Sequence, residues 1–236
     1  MSKTIYFNFP ITIIEGIFEN HKDTLNKIAY WAAADVMNGL KGYNQLAKLM
    51  EARRVLQLSF QVNQSVYQLC LDTQKKYSGA RAGLSLEQIK HLNQCWGFLK
   101  DSDKVVWLAF IALKSILGNK TYCKTNDLML FARMNGLVRA YSSEEDLLEH
   151  SHPVIANHYT RRKRETLRKR LAEEFHIKCY SYHDRGYYIT RRLSFEKLME
   201  LVELSRHQKK TYQAKIAKSR KKVLALIHEK EPEDSS

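Results

Sequence analysis

The sequence predicts a mainly α-helical fold, and three observations lead to this prediction. Only 9 of the 236 residues are Gly and 3 are Pro, too few for a fold with many tight turns. Apolar residues recur at helical spacing over long stretches, and the helix-favouring residues Leu, Lys, Ala, Glu and Gln are plentiful. We expect a helical domain at 1–100, a second domain at 101–193, and a C-terminal helix with an acidic tail at 194–236.

The predicted N-terminal domain begins with an extended segment and continues as packing helices. Phe7 and Phe9 alternate with polar residues ahead of Pro10, which is typical of a short strand. From about 11 to 71 the apolar residues follow helical spacing. The small residues of 77–83 predict a linker.

Helix start and stop signals divide the next hundred residues. Ser85 is placed to cap a helix that continues through Trp96. The run from Val105 to Leu117 is almost entirely apolar, so we expect a helix buried on most of its circumference. Thr125 or Asn126 can cap a short helix from Asp127 to Met134, closed by Asn135-Gly136, and 135–156 is a polar insertion before the next helix. These helix start and stop signals fit a helix-turn-helix in which the segment 135–156 enlarges the connection between the two helices.

Basic charge is local in this chain. Residues 156–222 hold 20 Lys and Arg against 7 Asp and Glu, a net of +13 out of the chain's +14. The remaining residues are almost neutral, so the positive potential is concentrated where a polyanion could release its counterions. A solvated charged face is the alternative interpretation of such a run.

The basic segment opens with a predicted helix that starts at Arg161 and ends near Phe175. Leu167, Leu171 and Phe175 share one face at 100° per residue, so the helix should dock through them. The opposite face is predicted to carry Arg162, Thr166, Lys169 and Glu173. Cations in a first turn oppose the helix dipole, which favours a binding role for Arg161, Arg162, Lys163 and Arg164.

A hairpin is predicted directly after this helix. Ile177 and Cys179 alternate with polar neighbours, and the same two-residue period recurs from Tyr187 to Thr190. Gly186 can adopt the positive φ that a tight turn needs, with Arg185 at or near the tip. Burial in the core is the expected fate of Tyr187.

Residues 160–190 resemble the recognition helix and wing of bacterial and phage winged helix-turn-helix domains. The resemblance lies in the leucines of the helix, the short strand after it and the closing Gly186-Tyr187-Tyr188-Ile189. It implies a winged helix-turn-helix domain with a small β-hairpin wing, binding of double-stranded DNA, and a bacterial or phage setting. The family supports several biological roles, so the fold does not decide among them.

The C-terminal helix, predicted to be capped by Ser194, has an interrupted apolar seam. The seam is typical either of a weak coiled coil or of a helix packed on its own body. A homodimer could form through this helix or through the N-terminal domain, and would favour an inverted-repeat site.

We therefore expect a DNA-binding transcriptional regulator. A plasmid or phage replication initiator is one alternative, and a non-specific RNA-binding or nucleoprotein component is another. The predicted nucleic-acid-binding residues are Arg161, Arg162, Lys163, Arg164, Thr166, Lys169, Arg170, Arg185, Lys209, Lys210 and Lys221.

Enzymatic, metal-dependent and membrane functions find no support in the sequence. Standard phosphate-loop, dinucleotide, nucleophile-elbow and zincin motifs are absent, so we expect neither an enzyme nor a cofactor. The four cysteines are widely spaced, and His150-Ser151-His152 alone resembles a metal-ligand cluster. No run of eighteen apolar residues occurs, and we expect a cytoplasmic protein without membrane contact.

Overall fold

The structure is a computed structural model, and it describes residues 6–39, 47, 50, 54, 72, 77–181 and 186–228. It is mainly helical, with two small antiparallel sheets, which confirms the predicted fold class at this level. The described helices are α1 (His21–Gly39), α2 (Leu86–Cys95), α3 (Asp101–Leu117), α4 (Asp127–Met134), α5 (Glu144–His150), α6 (Pro153–Ala156), α7 (Arg161–Phe175) and α8 (Phe195–His228). The strands are β1 (Tyr6–Pro10), β2 (Arg81–Ser85), β3 (Tyr122–Thr125), β4 (Lys178–Ser181) and β5 (Tyr187–Thr190).

The predicted N-terminal extended segment is a strand. β1 pairs with β2 in antiparallel register, with Tyr6 opposite Ser85 and Pro10 opposite Arg81. Phe7 and Phe9 are buried, so the alternation of the sequence places one face of this strand on the core.

The predicted linker at 77–83 needs correction, because its last three residues belong to β2. Ala82 is fully buried within that strand, and Gly83 lies opposite Asn8 of β1. The composition of 77–83 indicated a linker. A local window could not reveal the strand, because its partner β1 lies about seventy positions earlier in the chain.

Capping at the start of α2 is as predicted. The Ser85 side chain accepts a hydrogen bond from the Gln88 backbone N–H at 3.3 Å. The Gln88 side chain in turn accepts one from the Ser85 backbone N–H at 2.9 Å. This reciprocal capping box fixes the point where β2 turns into α2.

Helix α3 is the central element of the core. All eight residues from Val105 to Leu113 other than Trp107 are buried, which confirms the prediction of a helix packed on most of its circumference. β2 packs against this helix on one side and α7 on another.

The chain divides into two units, Met1–Arg192 and Leu193–Ser236. The first unit contains one continuous hydrophobic core that extends from Phe7 to Ile189. In the described residues no division falls at the predicted boundary between 100 and 101, because α3 serves the elements on both sides of it. The second unit starts one residue before the predicted C-terminal segment.

The second sheet has the strand order β3-β5-β4. β5 is its central strand, with Ile189 opposite Cys123 of β3 and Cys179 of β4. The pairing of β4 with β5 confirms the predicted hairpin strands. β3 was not predicted, since four residues with little alternation give no local strand signal.

The insertion between α4 and α7 contains α5 and α6 and is attached to the end of α4 through Asn135. The Asn135 side chain donates to the Ser151 hydroxyl at 2.7 Å and accepts from the His152 backbone N–H at 3.0 Å. α4 itself is capped by Asn126, which accepts from the Met129 N–H at 2.8 Å, as predicted. The insertion is therefore tied to the C-terminal end of α4 by side-chain hydrogen bonds.

The second unit is described by α8. The Ser194 hydroxyl accepts a hydrogen bond from the Lys197 backbone N–H at 3.2 Å, which confirms the predicted cap. Among the described helices, none combines the length and the apolar character needed to cross a membrane.

Candidate nucleic-acid interface

α7, called the basic helix below, has the bounds that the sequence predicts, Arg161–Phe175. It ends where His176 adopts a left-handed conformation with φ of 56°. The Ile177 N–H then donates to the Leu171 carbonyl at 3.1 Å, which closes the last turn.

The basic helix is anchored on α3 by the predicted apolar stripe. Leu167 and Leu171 are buried. Phe175 stacks on Phe110 with ring centroids 4.1 Å apart, and its ring meets Trp107 edge-on at 4.8 Å. These contacts fix which side of the helix can reach a partner.

The outward face of the basic helix consists of the four predicted residues Arg162, Thr166, Lys169 and Glu173, all of which are exposed, and Arg161 flanks it. Arg161 pairs within the helix with Glu165 at 3.2 Å, and its side chain is 89% exposed. Thr166 donates its hydroxyl hydrogen to the Arg162 carbonyl at 3.0 Å, which leaves the hydroxyl oxygen as an acceptor. The Lys169 ammonium lies 3.9 Å from the Glu173 carboxylate, so the outward face offers exposed cations, a carboxylate and a hydroxyl acceptor to solvent.

Two other cations of the basic helix, Arg164 and Arg168, form ion pairs with Asp127 at the start of α4. Arg164 donates to one Asp127 carboxylate oxygen at 2.8 Å. Arg168 donates to both carboxylate oxygens, at 2.7 and 2.9 Å. The three residues, called the Asp127 clamp below, join α4 to the basic helix through side chains that are between 15% and 28% exposed.

Aromatic rings cover the clamp. The Arg164 guanidinium lies 4.6 Å from the ring centroid of Tyr159, and that of Arg168 lies 4.5 Å from the ring of Tyr187. Burial is the largest single influence and would lower the pKa of Arg168, but the hydrogen bonds and the charge of Asp127, with smaller contributions from Tyr187 and Cys179, together raise it. Arg164 was predicted to bind nucleic acid. Its ion pair with Asp127 and its contact with Tyr159 indicate a structural role instead.

Arg170 and Lys163 are also held by protein groups. Arg170 pairs with Asp103 of α3 at 2.9 Å and with Glu174 at 2.6 Å. The Lys163 ammonium donates to the backbone carbonyl and the side-chain oxygen of Asn157, both at 2.8 Å. Charge in the sequence identified these cations, but Asp103 lies on α3 and gave no local signal, whereas Glu174 lies one turn further along the basic helix.

The hairpin places a glycine at a position that requires one. Gly186 has a φ of 102°, as predicted, and a Cβ there would lie 2.3 Å from the Thr125 carbonyl oxygen. Tyr187 is buried, which confirms its expected place in the core. Arg185, with the rest of 182–185, lies outside the described residues, so its place at the tip stays a prediction.

The predicted phosphate ligands Lys209, Lys210 and Lys221 are exposed on α8. Residues 206–222 of this helix contain eight Lys and Arg and no Asp or Glu. The apolar seam is also solvent-accessible here, with Tyr212 65% exposed. Dimerisation through this helix stays a prediction.

The histidine cluster has structural roles. His152 accepts the Val154 N–H at 3.2 Å and stacks on Phe18, while His150 lies 3.1 Å from the Asp146 carboxylate. In the part of the chain that the structure describes, no group of three or more His, Cys, Asp or Glu is arranged to hold a metal ion.

Comparison of the chain with protein-family models, with curated proteins and with solved structures finds no match.

Proposed function

We propose that the protein binds double-stranded DNA and reads its sequence with the outward face of the basic helix, as a transcriptional regulator. One observation carries the proposal: the helix has a fixed apolar side and an opposite side from which Arg162, Thr166 and Lys169 project into solvent. A helix of 15 residues is about 22 Å long and fits the major groove.

The order of the elements supports a winged helix-turn-helix domain. α3, β3, α4, the basic helix, β4 and β5 follow one another, with α5 and α6 inserted ahead of the basic helix. In the resembled family the recognition helix also comes last of three helices and is followed by a hairpin. The sheet order β3-β5-β4 places that hairpin beside the strand that leads into α4.

The chemistry of the outward face fits base recognition. Arg and Lys donate to guanine O6 and N7 in the major groove, and a hydroxyl can pair with any base. Arg162 is the best candidate for such a contact, because its side chain is exposed and the described residues show no ion pair for it. Lys209, Lys210 and Lys221 would add contacts to phosphates, which hold the duplex without reading it.

Selection of bound sequences from a random duplex pool with the full-length protein tests the proposal. We expect an enriched motif, and an inverted repeat would agree with a dimeric regulator. Directly repeated motifs would instead favour a replication initiator. Retention of DNA and RNA without any enriched motif would favour the non-specific nucleoprotein role and overturn base reading.

A further inference from the structure

A groove of about 280 Å³ lies between the N-terminal end of α3 and the first turns of the basic helix. Val106 of α3 and Leu167 of the basic helix line it, and both are almost wholly buried, so the groove has an apolar floor. Its volume is below the roughly 300–1,000 Å³ of most small-molecule sites. The groove is thus large enough for an apolar side chain of a polypeptide and small for a whole drug-sized ligand.

The rim of this groove is basic. Several of its described lining residues have basic side chains and none has a carboxylate; the basic ones are His158, Arg162, Lys163 and Arg170. The Arg170 charge is largely compensated, because Arg170 pairs with Asp103 and Glu174. The Lys163 ammonium donates to uncharged oxygen atoms of Asn157, and the Arg162 side chain is exposed to solvent. The charges of Arg162 and Lys163 are therefore available to an anionic partner beside an apolar floor.

An acidic polypeptide matches both parts of this surface, whereas nucleic acid matches only one. Phosphates could pair with the cations but would gain nothing from the apolar floor. The bases of a duplex would meet the outward face, and Leu167 lies on the buried side of the basic helix, beyond their reach. A flexible Leu or Phe side chain could enter the groove and bury its apolar surface while neighbouring carboxylates pair with the cations. Charge complementarity and shape therefore favour an acidic segment with an apolar anchor.

We propose that the groove binds a short acidic segment of a partner protein. An apolar side chain of the segment occupies the floor formed by Val106 and Leu167, and its carboxylates pair with Arg162 and Lys163. Amphipathic peptides dock into apolar grooves in this way, through a few anchor side chains. Arg162 and Thr166 line the groove and also belong to the outward face, so the bound segment and DNA would exclude each other. This last consequence rests on the proposed function, whereas binding of the segment does not.

Selection from a random peptide library with the full-length protein tests the site without nucleic acid. We expect the enriched peptides to combine Asp or Glu with Leu, Ile, Phe or Met. A synthetic copy of an enriched peptide should lose about tenfold in affinity when its apolar anchor is changed to Ser, because the groove floor then stays uncovered. Equal binding of the Ser peptide would show attraction by net charge alone and would overturn the site.

Substitutions in the groove locate the bound peptide. Ser102→Phe places a large side chain in the lining of the groove and should abolish peptide binding. Ser219→Phe, a change at an exposed serine of α8 outside the lining, should leave peptide binding unchanged. Lys163→Met removes one of the available cations and should weaken peptide binding about tenfold. Unchanged peptide affinity in both Ser102→Phe and Lys163→Met would overturn the proposal.

A displacement experiment with duplex DNA separates this inference from the proposed function. The enriched peptide should displace a bound duplex from the wild type, and Ser102→Phe should keep duplex binding but resist displacement. Peptide binding by a protein that binds no duplex would leave the groove site standing and would contradict the DNA function alone. A loss of duplex binding in Ser102→Phe, with no peptide enriched by the wild type, would assign the groove to DNA and overturn the proposal.

Discussion

Asp127→Asn is expected to loosen the attachment of the basic helix to α4. The substitution keeps the shape of the side chain but removes the charge that Arg164 and Arg168 share. Three hydrogen bonds of 2.7 to 2.9 Å end on this carboxylate, and its side chain is only 15% exposed. Both guanidinium groups would be left in a partly buried site without a counterion.

The expected loss is about 2–4 kcal/mol in the free energy of unfolding. Hydrogen bonds to charged groups contribute roughly 1.5–3 kcal/mol each, and removal of one partner from a buried ion pair costs about 3–5 kcal/mol. The residual exposure of the clamp places it toward the lower end of these values. For a unit of this size the Tm should fall by about 6–12 °C.

Chemical denaturation of the wild type and Asp127→Asn measures the effect, with Asp23→Asn as the matched control. Asp23 pairs with Lys27 at 2.7 Å, but both side chains are more than half exposed, so the control should cost less than about 1 kcal/mol. A double-mutant cycle with Arg168→Met should give a coupling energy of about 1–3 kcal/mol. The proposed clamp would be refuted if Asp127→Asn cost no more than Asp23→Asn.

Four further substitutions, one of them a control, test other parts of the structure by thermal or denaturant unfolding. Gly186→Ala should lower the free energy of unfolding by more than about 3 kcal/mol, because backbone strain at its φ of 102° adds to a clash of the new Cβ with the Thr125 carbonyl oxygen. Gly118→Ala, with φ of 53° and ψ of −128° but open space around it, should cost about 1–3 kcal/mol from backbone strain alone, and equal losses would contradict the contact. Ser85→Ala should cost about 1 kcal/mol through loss of the capping box, and no loss would show that water replaces it. Burial lowers the pKa of Lys114 from 10.5 to about 8, so between these pH values the unfolded chain binds more protons than the folded chain. The free energy of unfolding should therefore rise with pH in this window. Lys114→Met should lose this rise, and an unchanged pH profile of stability would contradict the prediction.

The sequence predicted those features that depend on local patterns. The basic helix, Arg161–Phe175, was predictable because its charge run and its apolar stripe both lie within these fifteen residues. The caps at Ser85 and Asn126 were predictable for the same reason, since each involves a partner three positions away. The apolar circumference of α3 predicted its central place in the core.

Features that depend on distant partners could not be predicted in this way. β2 pairs with a strand that lies about seventy positions earlier in the chain, and β3 gains its strand geometry from β5. The sequence could not divide the cations of the basic helix into two sets, because Asp127 lies 37 positions from Arg164.

The most direct test of base reading is parallel selection from one random duplex pool by the wild type, Arg162→Ala and Lys209→Ala. Arg162→Ala should relax or change the preference at one base position, at a cost of about 1–3 kcal/mol for the preferred base, because Arg162 belongs to the outward face. Lys209→Ala should enrich the same motif as the wild type with uniformly weaker binding, since its charge lies on α8. An unchanged motif and affinity in Arg162→Ala would contradict the proposed orientation of the basic helix toward DNA.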